Sequence, residues 1–408
     1  MKKGWATKTL GDICEVFADG DWIESKDQSS DGIRLIQTGN VGEGVFNDRA
    51  EKARYISEAT FKRLRCTEIV EGDCLISRLP DPVGRSCILP ETGERMITAV
   101  DCTIVRFKPN ELLPQFFNLY SQSGDYISTV AKECTGTTRS RISRSNLALT
   151  PIPVPPLPEQ RRIVGILDEA FEGLATATAN AEKNLHNARA LFESHLQSVF
   201  TQCGKGWVET TLEKVLAVQP QNGWSPPAAN HSDSGTPVLT LSSVTGYRFR
   251  PDKRKFTSAS TDSRRNYWVK NGDFLITRSN TPELVGHVAI ATGINEPTIY
   301  PDLIMRMNPA PDRMVTEFLY YQMRSPSLRK EITGRAQGAN PTMKKISNGA
   351  VQTLPIAVPS IPTQRAIVKT LNGLAEETQR LESIYQQKLA ALDELKKSLL
   401  HQAFSGQL

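Results

Sequence analysis

Apolar residues recur at alternating steps of four and three in two segments, one beginning at Ile163 and the other at Ile367. The first series is Ile163, Leu167, Ala170, Leu174, Ala177, Ala181, Asn184, Ala188, Leu191 and His195, and the second is Ile367, Leu371, Leu374, Thr378, Leu381, Tyr385, Lys388, Leu392, Leu395 and Leu399. Eight of ten positions are apolar in each series, which is typical of a coiled-coil seam. The pattern predicts two helical rods, each about 48 Å long at the usual helical rise.

Each rod follows a proline-rich segment that occurs twice. Residues 151–164 read PIPVPPLPEQRRIV and residues 355–368 read PIAVPSIPTQRAIV, with nine identical positions at an offset of 204. Pro158 and Pro362 suit the first turn of a helix, where a missing N–H costs nothing, so we expect the helices to begin there. Other matches keep the same order along the chain, such as GDCLISR and, 200 residues later, GDFLITR. The sequence therefore predicts two tandem repeats.

The first part of each repeat has a different rhythm from the rods. Short β-prone runs alternate there with Gly, Pro and Asn turns and with short helical stretches, which is typical of an α+β domain. We predict four regions, which are a globular domain over 1–158, a central helical spacer over 159–205, a second globular domain over 206–361 and a C-terminal helical spacer over 362–408.

The two rods differ in composition, since one seam is rich in alanine and the other in leucine. They are predicted to pack on each other as an antiparallel coiled coil, because small and large residues at facing positions bring two backbones close. In matched register Asn184 would face Thr378 and form a polar layer that fixes the alignment. The alternative is that each rod packs only on its own globular domain.

Composition restricts the class of protein only mildly. A net charge of +5 and a pI near 8.7 allow an anionic partner without requiring one. Seven cysteines without a C-x-x-C pair are typical of structural thiols in a reducing cytosol. We find no signal peptide and no apolar run long enough for a membrane span, so a soluble cytoplasmic protein is expected.

Motifs for catalysis are weak. The sequence lacks H-E-x-x-H, the Walker A pattern and G-x-G-x-x-G, and three of its five histidines lie on the rods. Ser225-Pro226-Pro227 resembles the loop of an amino-methyltransferase, but Ala228 stands where a ring must stack on the flipped base. Neither a bound cofactor nor a metal site is expected for this chain.

The duplicated proline-Gln-Arg segments, the GD(C/F)LI(S/T)R runs and the closing SLLHQAFSGQL together resemble the specificity subunit of type I restriction-modification systems. The resemblance covers nearly the whole chain. It implies a non-catalytic, DNA-reading subunit whose two target-recognition domains each read one part of a split, asymmetric site, while the helices set the gap.

The resemblance also implies partners. Two modification subunits would bind S-adenosylmethionine and methylate adenine N6, and two restriction subunits would use ATP and Mg²⁺. Three other interpretations stay open: a complex that only methylates, a stand-alone methyltransferase or nuclease with a degenerate motif at 225–228, and a helical adaptor without DNA contact.

Residues for DNA contact are predicted in polar loops at corresponding places of the two repeats, because base edges and phosphates are read by Arg, Lys, Asn, Ser and Thr. The predicted residues are Thr38, Asn40, Arg78, Arg85, Thr137, Thr138, Arg139, Arg141 and Arg144 in the first repeat, and Ser242, Arg278, Ser279, Asn280, Asn340, Thr342, Lys344 and Lys345 in the second. At the helix starts, Gln160, Arg161, Gln364 and Arg365 are predicted either to cap the helices or to dock the modification subunits.

Overall fold

The computed structural model describes residues 4–136, 139–340 and 342–408. The chain divides into two compact units. Unit 1 comprises Met1–Glu182 and Gln387–Leu408, and unit 2 comprises Lys183–Gln386. Each unit therefore contains one globular domain together with half of each of two long helices.

Unit 1 contains eleven strands and four short helices within its described residues. The strands are β1 (Ala6–Thr9), β2 (Cys14–Asp19), β3 (Gln28–Ser29), β4 (Ile33–Ile36), β5 (Arg54–Ile56), β6 (Glu68–Ile69), β7 (Cys74–Ser77), β8 (Ser86–Ile88), β9 (Met96–Thr98), β10 (Cys102–Phe107) and β11 (Pro151–Val154). The short helices are α1 (Glu58–Leu64), α2 (Pro114–Tyr120), α3 (Gly124–Lys132) and α4 (Arg144–Ala148), and the first long helix is α5 (Leu157–Thr201).

Three sheets organise unit 1. A four-stranded antiparallel sheet has the order β2-β10-β7-β8, and a five-stranded sheet has the order β3-β5-β4-β9-β6 with β4 parallel to β9. The strand β1 pairs with β11 just before the first long helix. A core that includes Phe116, Phe117 and Tyr126 fills the space between the four-stranded sheet and helices α2 and α3.

Unit 2 repeats this plan with its own side chains. Its strands are β12 (Val208–Thr211), β13 (Leu216–Asn222), β14 (His231–Ser232), β15 (Thr236–Leu239), β16 (Arg254–Thr257), β17 (Trp268–Val269), β18 (Phe274–Thr277), β19 (Ser279–Asn280), β20 (Val288–Ile290), β21 (Thr298–Ile299), β22 (Ile304–Pro309), β23 (Lys344–Lys345) and β24 (Pro355–Val358). Its helices are α6 (Thr316–Arg324), α7 (Pro326–Arg335) and α8 (Asn348–Gln352), followed by the second long helix, α9 (Ile361–Ser405).

The sheets of unit 2 match those of unit 1 strand for strand. Their orders are β13-β22-β18-β20, β14-β16-β15-β21-β17 and β12-β24, and a further short ladder joins β19 to β23. The central core again lies between the four-stranded sheet and a helix, here α6 with Phe318 and Leu319. The predicted α+β fold in two tandem repeats is confirmed.

The long helices begin where the sequence places them. Pro158 and Pro362 are the second residues of α5 and α9, in the first turn of each helix. In unit 1 the start of α5 packs with the end of α9, since Ile163 and Leu167 share a core with Leu400 and Phe404. In unit 2 the end of α5 shares a core with Leu371 near the start of α9. The two helices are therefore packed together in antiparallel directions, as predicted.

The seam departs from its predicted register in the second half of each helix. On α5 the predicted positions Ala188 and His195 are buried or half-buried, but Asn184 and Leu191 are exposed, and Leu185 and Phe192 are covered in their place. On α9 the predicted positions Tyr385, Leu392 and Leu399 are half-buried, but Lys388 and Leu395 are exposed, and Leu389 and Lys396 are covered in their place. An α-helix has about 3.6 residues per turn, so positions chosen by a strict 3.5-residue repeat rotate slowly away from the partner helix. A shift of one residue, for example from Asn184 to Leu185, brings the side chain back toward the partner. The polar layer of Asn184 with Thr378 is therefore wrong.

The units differ where α2 of unit 1 and α6 of unit 2 meet the long helices. In unit 2 the Arg324 guanidinium lies 5.1, 4.9 and 5.1 Å from the ring centres of Phe192, Tyr247 and Tyr320, an arrangement we call the arginine cage. In unit 1 the corresponding α2 contributes Asn118 and the turn after it contributes Gln122, and a groove of about 690 Å³ lies between this region and the long helices. The space beside the long helices is thus occupied by the Arg324 side chain in unit 2, and it is an open groove in unit 1.

Candidate nucleic-acid interface

Three arginines of unit 1 lie near two aspartates, of which Asp19 is the last residue of β2 and Asp101 directly precedes β10. Arg78 lies 3.1 Å from a carboxylate oxygen of Asp19, Arg141 lies 3.0 Å from Asp101, and Arg144 lies 3.6 Å from Asp19. The loops are joined by the backbone, since Ile142 N–H donates to the Arg78 carbonyl. The structure therefore brings the two loops predicted from the sequence into one group, which we call the arginine cluster.

The members of this cluster differ in accessibility. The Arg78 side chain is 4% exposed and donates to the Val100 carbonyl at 2.5 Å, and burial lowers the pKa of its guanidinium. Arg141 and Arg144 are 46% and 49% exposed, so their guanidinium groups can reach a ligand in solvent. Arg78 thus holds the loop from beneath, while Arg141 and Arg144 form its outer surface.

Unit 2 joins the corresponding loops through a short antiparallel ladder. Ser279 and Asn280 of β19 pair with Lys345 and Lys344 of β23, and we call these four residues the lysine ladder. Ile346 N–H donates to the Arg278 carbonyl, which repeats the backbone link found in unit 1.

Polar groups complete this region of unit 2. Arg278 donates to the Asp302 carbonyl at 3.3 Å, and the Ser225 hydroxyl donates to the Asp302 carboxylate. Asn280 donates to the Thr245 hydroxyl at 3.4 Å, Lys344 donates to the Gly338 carbonyl, and Lys345 is exposed. The Ser279 hydroxyl is buried and has no partner among the residues that the structure describes.

Two residues predicted to contact DNA build the loops instead of pointing out of them. Arg85 is buried and donates to the backbone carbonyls of Thr38, Val41, Leu79 and Pro82 at 2.6–3.0 Å. Asn40 is buried, accepts from Gln37 N–H and donates to the Asn47 carbonyl. Both side chains therefore hold the loops in this structure, and contact of Arg85 and Asn40 with DNA stays a prediction.

The remaining predicted residues are distributed around the same loops. Thr38 is half-buried, and Ser242 and Arg139 are exposed. The Asn340 side chain accepts hydrogen bonds from the Thr342 N–H and hydroxyl, and both residues are exposed. Thr137 and Thr138 lie outside the described residues.

A histidine replaces Arg85 in unit 2, since Val285-Gly286-His287 repeats Val83-Gly84-Arg85. The His287 Nδ1 accepts a hydrogen bond from Gly246 N–H at 3.0 Å, and the ring stacks on Tyr247 with centroids 4.1 Å apart. Burial, followed by the charge of nearby Arg329, lowers the pKa of His287 to about 4. The loop that an arginine holds in unit 1 is thus held by a neutral imidazole in unit 2.

Both helix starts carry a matching glutamine clamp. The Gln160 side chain accepts from Leu113 N–H at 2.8 Å and donates to the Glu111 and Pro155 carbonyls. The Gln364 side chain accepts from Val315 N–H at 2.7 Å and donates to the Arg313 and Pro359 carbonyls.

This clamp explains why the same residue occurs at the same step of both repeats. Both glutamines are fully buried, so they fix each long helix to its domain, whereas Arg161 and Arg365 are exposed. Docking of partner subunits at Arg161 and Arg365 stays a prediction.

The aspartates of the interface are the residues that sequence reasoning missed. Asp19 and Asp101 are far from their arginines along the chain, and Asp302 of unit 2 lies 24 residues after Arg278. A usable signal was present, since Asp19-Gly20 and Asn222-Gly223 each end matching strands.

The described ranges also give information on metal ligands, thiols and membrane-spanning helices. Among those residues the structure contains no group of three His, Cys, Asp or Glu side chains that could hold a metal ion. Burial raises the pKa of the Cys14 and Cys87 thiols to about 12. No helix in the described part of the chain is both long and apolar enough to cross a membrane.

Two repeats with the same fold each present a group of basic and polar side chains at corresponding loops. The family described as "Type I restriction modification DNA specificity domain" matches residues 2–185 and 204–390, one match in each repeat. The chain belongs to this family, and it is a specificity subunit that recognises DNA sequence.

Relatives agree along most of the chain. The specificity subunit of the type I restriction enzyme EcoKI from Escherichia coli K12 is 24% identical over 75% of this chain and 68% of its own length. The putative MjaX specificity subunit from Methanocaldococcus jannaschii is 22% identical over 100% of this chain and 94% of its own.

Solved structures share the fold. A chain from a type I R-M system, studied for complex assembly and conformational transition, has a TM-score of 0.80 at 20% identity and covers 100% of this chain and 99% of its own. The HsdS subunit from Thermoanaerobacter tengcongensis has a TM-score of 0.61 at 20% identity, with 100% and 98% covered.

Proposed function

We propose that the chain reads a split, asymmetric DNA site, with unit 1 contacting one part and unit 2 the other. One observation carries this proposal. Each unit brings the same two loops together through the same backbone link, yet the side chains are an arginine cluster in unit 1 and a lysine ladder in unit 2. A shared scaffold with different chemistry is what two different half-sites require.

The side chains of each unit suit different contacts. Arginine forks bind guanine O6 and N7 or a phosphate in a bidentate manner, so Arg141 and Arg144 suit either contact. Asp101 could accept from the cytosine amino group once its arginine turns to the DNA. Asn280 suits adenine, and the exposed Lys345 suits a phosphate.

The long helices support a second part of the proposal. They set the unread gap and present two docking faces, near Arg161 and Arg365, for two modification subunits. Those subunits bring S-adenosylmethionine, and restriction subunits, where present, bring ATP and Mg²⁺. This chain then contributes reading rather than catalysis. A complex that only methylates would use the same chain.

The test is to co-express the chain with its modification subunit and to map methylated adenines across the host genome. We expect a split motif. Exchange of residues 206–354 for the matching domain of a relative should change one half of the motif and leave the other intact. A continuous motif, or a change in both halves, would contradict the proposal. Methylation by the chain alone would instead support the stand-alone enzyme.

A matched second experiment concerns the gap. One heptad inserted into each long helix should lengthen the gap or abolish methylation, without altering either half of the motif. An altered half-motif at unchanged gap length would exclude the helices as the spacer.

A further inference from the structure

Trp22 differs from the other four tryptophans of the chain. Its side chain is 67% exposed, and within the described residues it has no ring partner. The others are half-buried, and each packs against a ring: Trp5 on Phe116, Trp207 on Phe318, and Trp224 and Trp268 on Tyr267. The Trp22 indole N–H donates to the Glu24 carboxylate at 3.4 Å, and no core contact holds the ring within the described residues. The position of this indole, next to the candidate interface, is what bears on function.

The backbone that carries Trp22 is held firmly. A Cβ at Gly20 would lie 2.3 Å from the Ala99 carbonyl oxygen, so the two backbone segments approach too closely for any residue other than glycine at this position. Asp21 N–H donates to the Thr98 carbonyl at 2.7 Å, and Val100 N–H donates back to the Asp21 carbonyl. The Asp21 carboxylate accepts from Thr67 N–H at 3.0 Å. The indole is therefore presented from a fixed base, which reduces the entropy lost when it binds.

This base adjoins the arginine cluster. The Arg78 guanidinium donates to the carbonyl of Val100, the residue whose N–H bonds to Asp21. Asp19, which pairs with Arg78 and Arg144, lies three residues before Trp22. The loop that carries the exposed Trp22 is thus joined through the backbone to the segment that holds the arginine cluster of unit 1.

We propose that Trp22 is a base-stacking site, inserted as a wedge at one base-pair step of the half-site that unit 1 reads. The ligand chemistry is a nucleobase face, which any base can offer, while Arg141 and Arg144 contact the neighbouring nucleotides. Large apolar side chains inserted between base pairs unstack one step and bend the duplex. The inference rests on the proposed function, because it requires that unit 1 faces DNA.

Unit 2 offers an internal contrast. Gly223 makes the same close approach as Gly20, since a Cβ there would lie 2.0 Å from the Tyr300 carbonyl oxygen. Trp224 follows it directly and stacks on Tyr267 at 5.3 Å with a 29° interplanar angle. The tryptophan of unit 2 is thus packed against a ring of its own domain. We therefore expect base-pair unstacking only in the half of the DNA site that unit 1 reads.

The experiment uses the complex of the full chain with its modification subunits, on duplexes that carry the mapped motif. Permanganate reactivity of thymines and 2-aminopurine fluorescence are measured at each step of both halves. We expect one reactive step in the unit 1 half, besides the methylated adenine. Trp22→Ala should remove that signal and weaken DNA binding about 5- to 150-fold, as for the loss of one stacked base. Trp22→Phe should restore most of both.

Two controls keep the outcomes distinct. Val70→Ala removes another exposed apolar side chain of unit 1 and should leave binding and reactivity unchanged. Methylation of the unit 2 half-motif shows that each variant complex is assembled. A wild-type complex without a reactive step, or a Trp22→Ala complex with unchanged reactivity and affinity, would overturn the wedge alone. Failure of the wild-type complex to bind a split site would overturn the proposed function itself.

Discussion

Units 1 and 2 use one scaffold for two kinds of recognition chemistry. Both contain the same three sheets, the same glutamine clamp and the same backbone link between two loops. The positions on top of this frame differ, with exposed arginines in unit 1 and a ladder of Ser, Asn and Lys in unit 2. The glutamine clamp and the backbone link are thus shared by the two units, whereas the side chains of the candidate interface differ.

The clamp provides the largest expected effect. Gln160→Ala and Gln364→Ala should each lower the free energy of unfolding by about 3 kcal/mol, because a buried N–H and two carbonyls lose their partner. Chemical denaturation of the two variants measures this cost. If the units are equivalent at the clamp, the two losses will agree. The exposed neighbours provide the control, since Arg161→Ala and Arg365→Ala should change the free energy of unfolding by less than about 0.5 kcal/mol.

The pH dependence of stability should separate the units. The pKa of His287 is about 4 in the folded chain and near 6.5 when unfolded, so the unfolded state binds more protons between these values. Stability contributed by neutral His287 is therefore complete above about pH 6.5 and is lost as the pH falls toward 4, by about 2 kcal/mol. Unfolding monitored through that range should show a flatter profile for His287→Gln. An unchanged profile would contradict a buried neutral imidazole.

The arginine contacts should matter for one half of the site only. Arg141→Ala and Arg144→Ala are each expected to weaken binding of the assembled complex about 10-fold and to relax the unit 1 half of the motif. Lys345→Ala should weaken binding with less effect on sequence preference, because a phosphate contact carries no sequence information. Methylation mapping with each variant distinguishes these results. Relaxation of the unit 2 half by an Arg141 variant would refute the assignment.

The arginine cage gives the smallest effect. Arg324→Ala should cost about 1 kcal/mol of unfolding free energy, because its guanidinium is stacked among aromatic rings and poorly replaced by water. Gln122→Ala at the matching place in unit 1 should cost less than about 0.5 kcal/mol, since it borders an open groove. Equal losses would show that the cage adds nothing to unit 2.

Much of the fold could be predicted from the sequence because it depends on repetition. Proline in the first helical turn and an apolar step of three and four are local signals, and both occur twice, so the helix starts and the antiparallel pair were predicted correctly. The seam of the second helical halves was wrong at every other position, because the helix drifts slowly from a strict 3.5-residue repeat and no single residue in the sequence indicates where that drift changes the buried side.

The site was harder because charge and loop position do not reveal burial. Arg85 and Arg141 look alike in sequence, yet one satisfies four backbone carbonyls and the other faces solvent. Several of their acceptors, namely Thr38 and Val41 for Arg85 and Asp101 for Arg141, are distant in sequence and are brought close by the fold. Trp22 also escaped attention, because a single aromatic residue in a loop gives no periodic signal.

The sharing of each long helix between units has a consequence for synthesis. Unit 1 contains the earliest residues of the chain, but its core is completed by Leu400, Ala403 and Phe404, and the Phe404 ring lies 5.3 Å from that of Phe116. On a ribosome the domain that is begun first is therefore finished last, after all of unit 2 has emerged. Until then the nascent chain exposes an apolar stripe on the first half of α5, a stage at which chaperones or partner helices would find it uncovered.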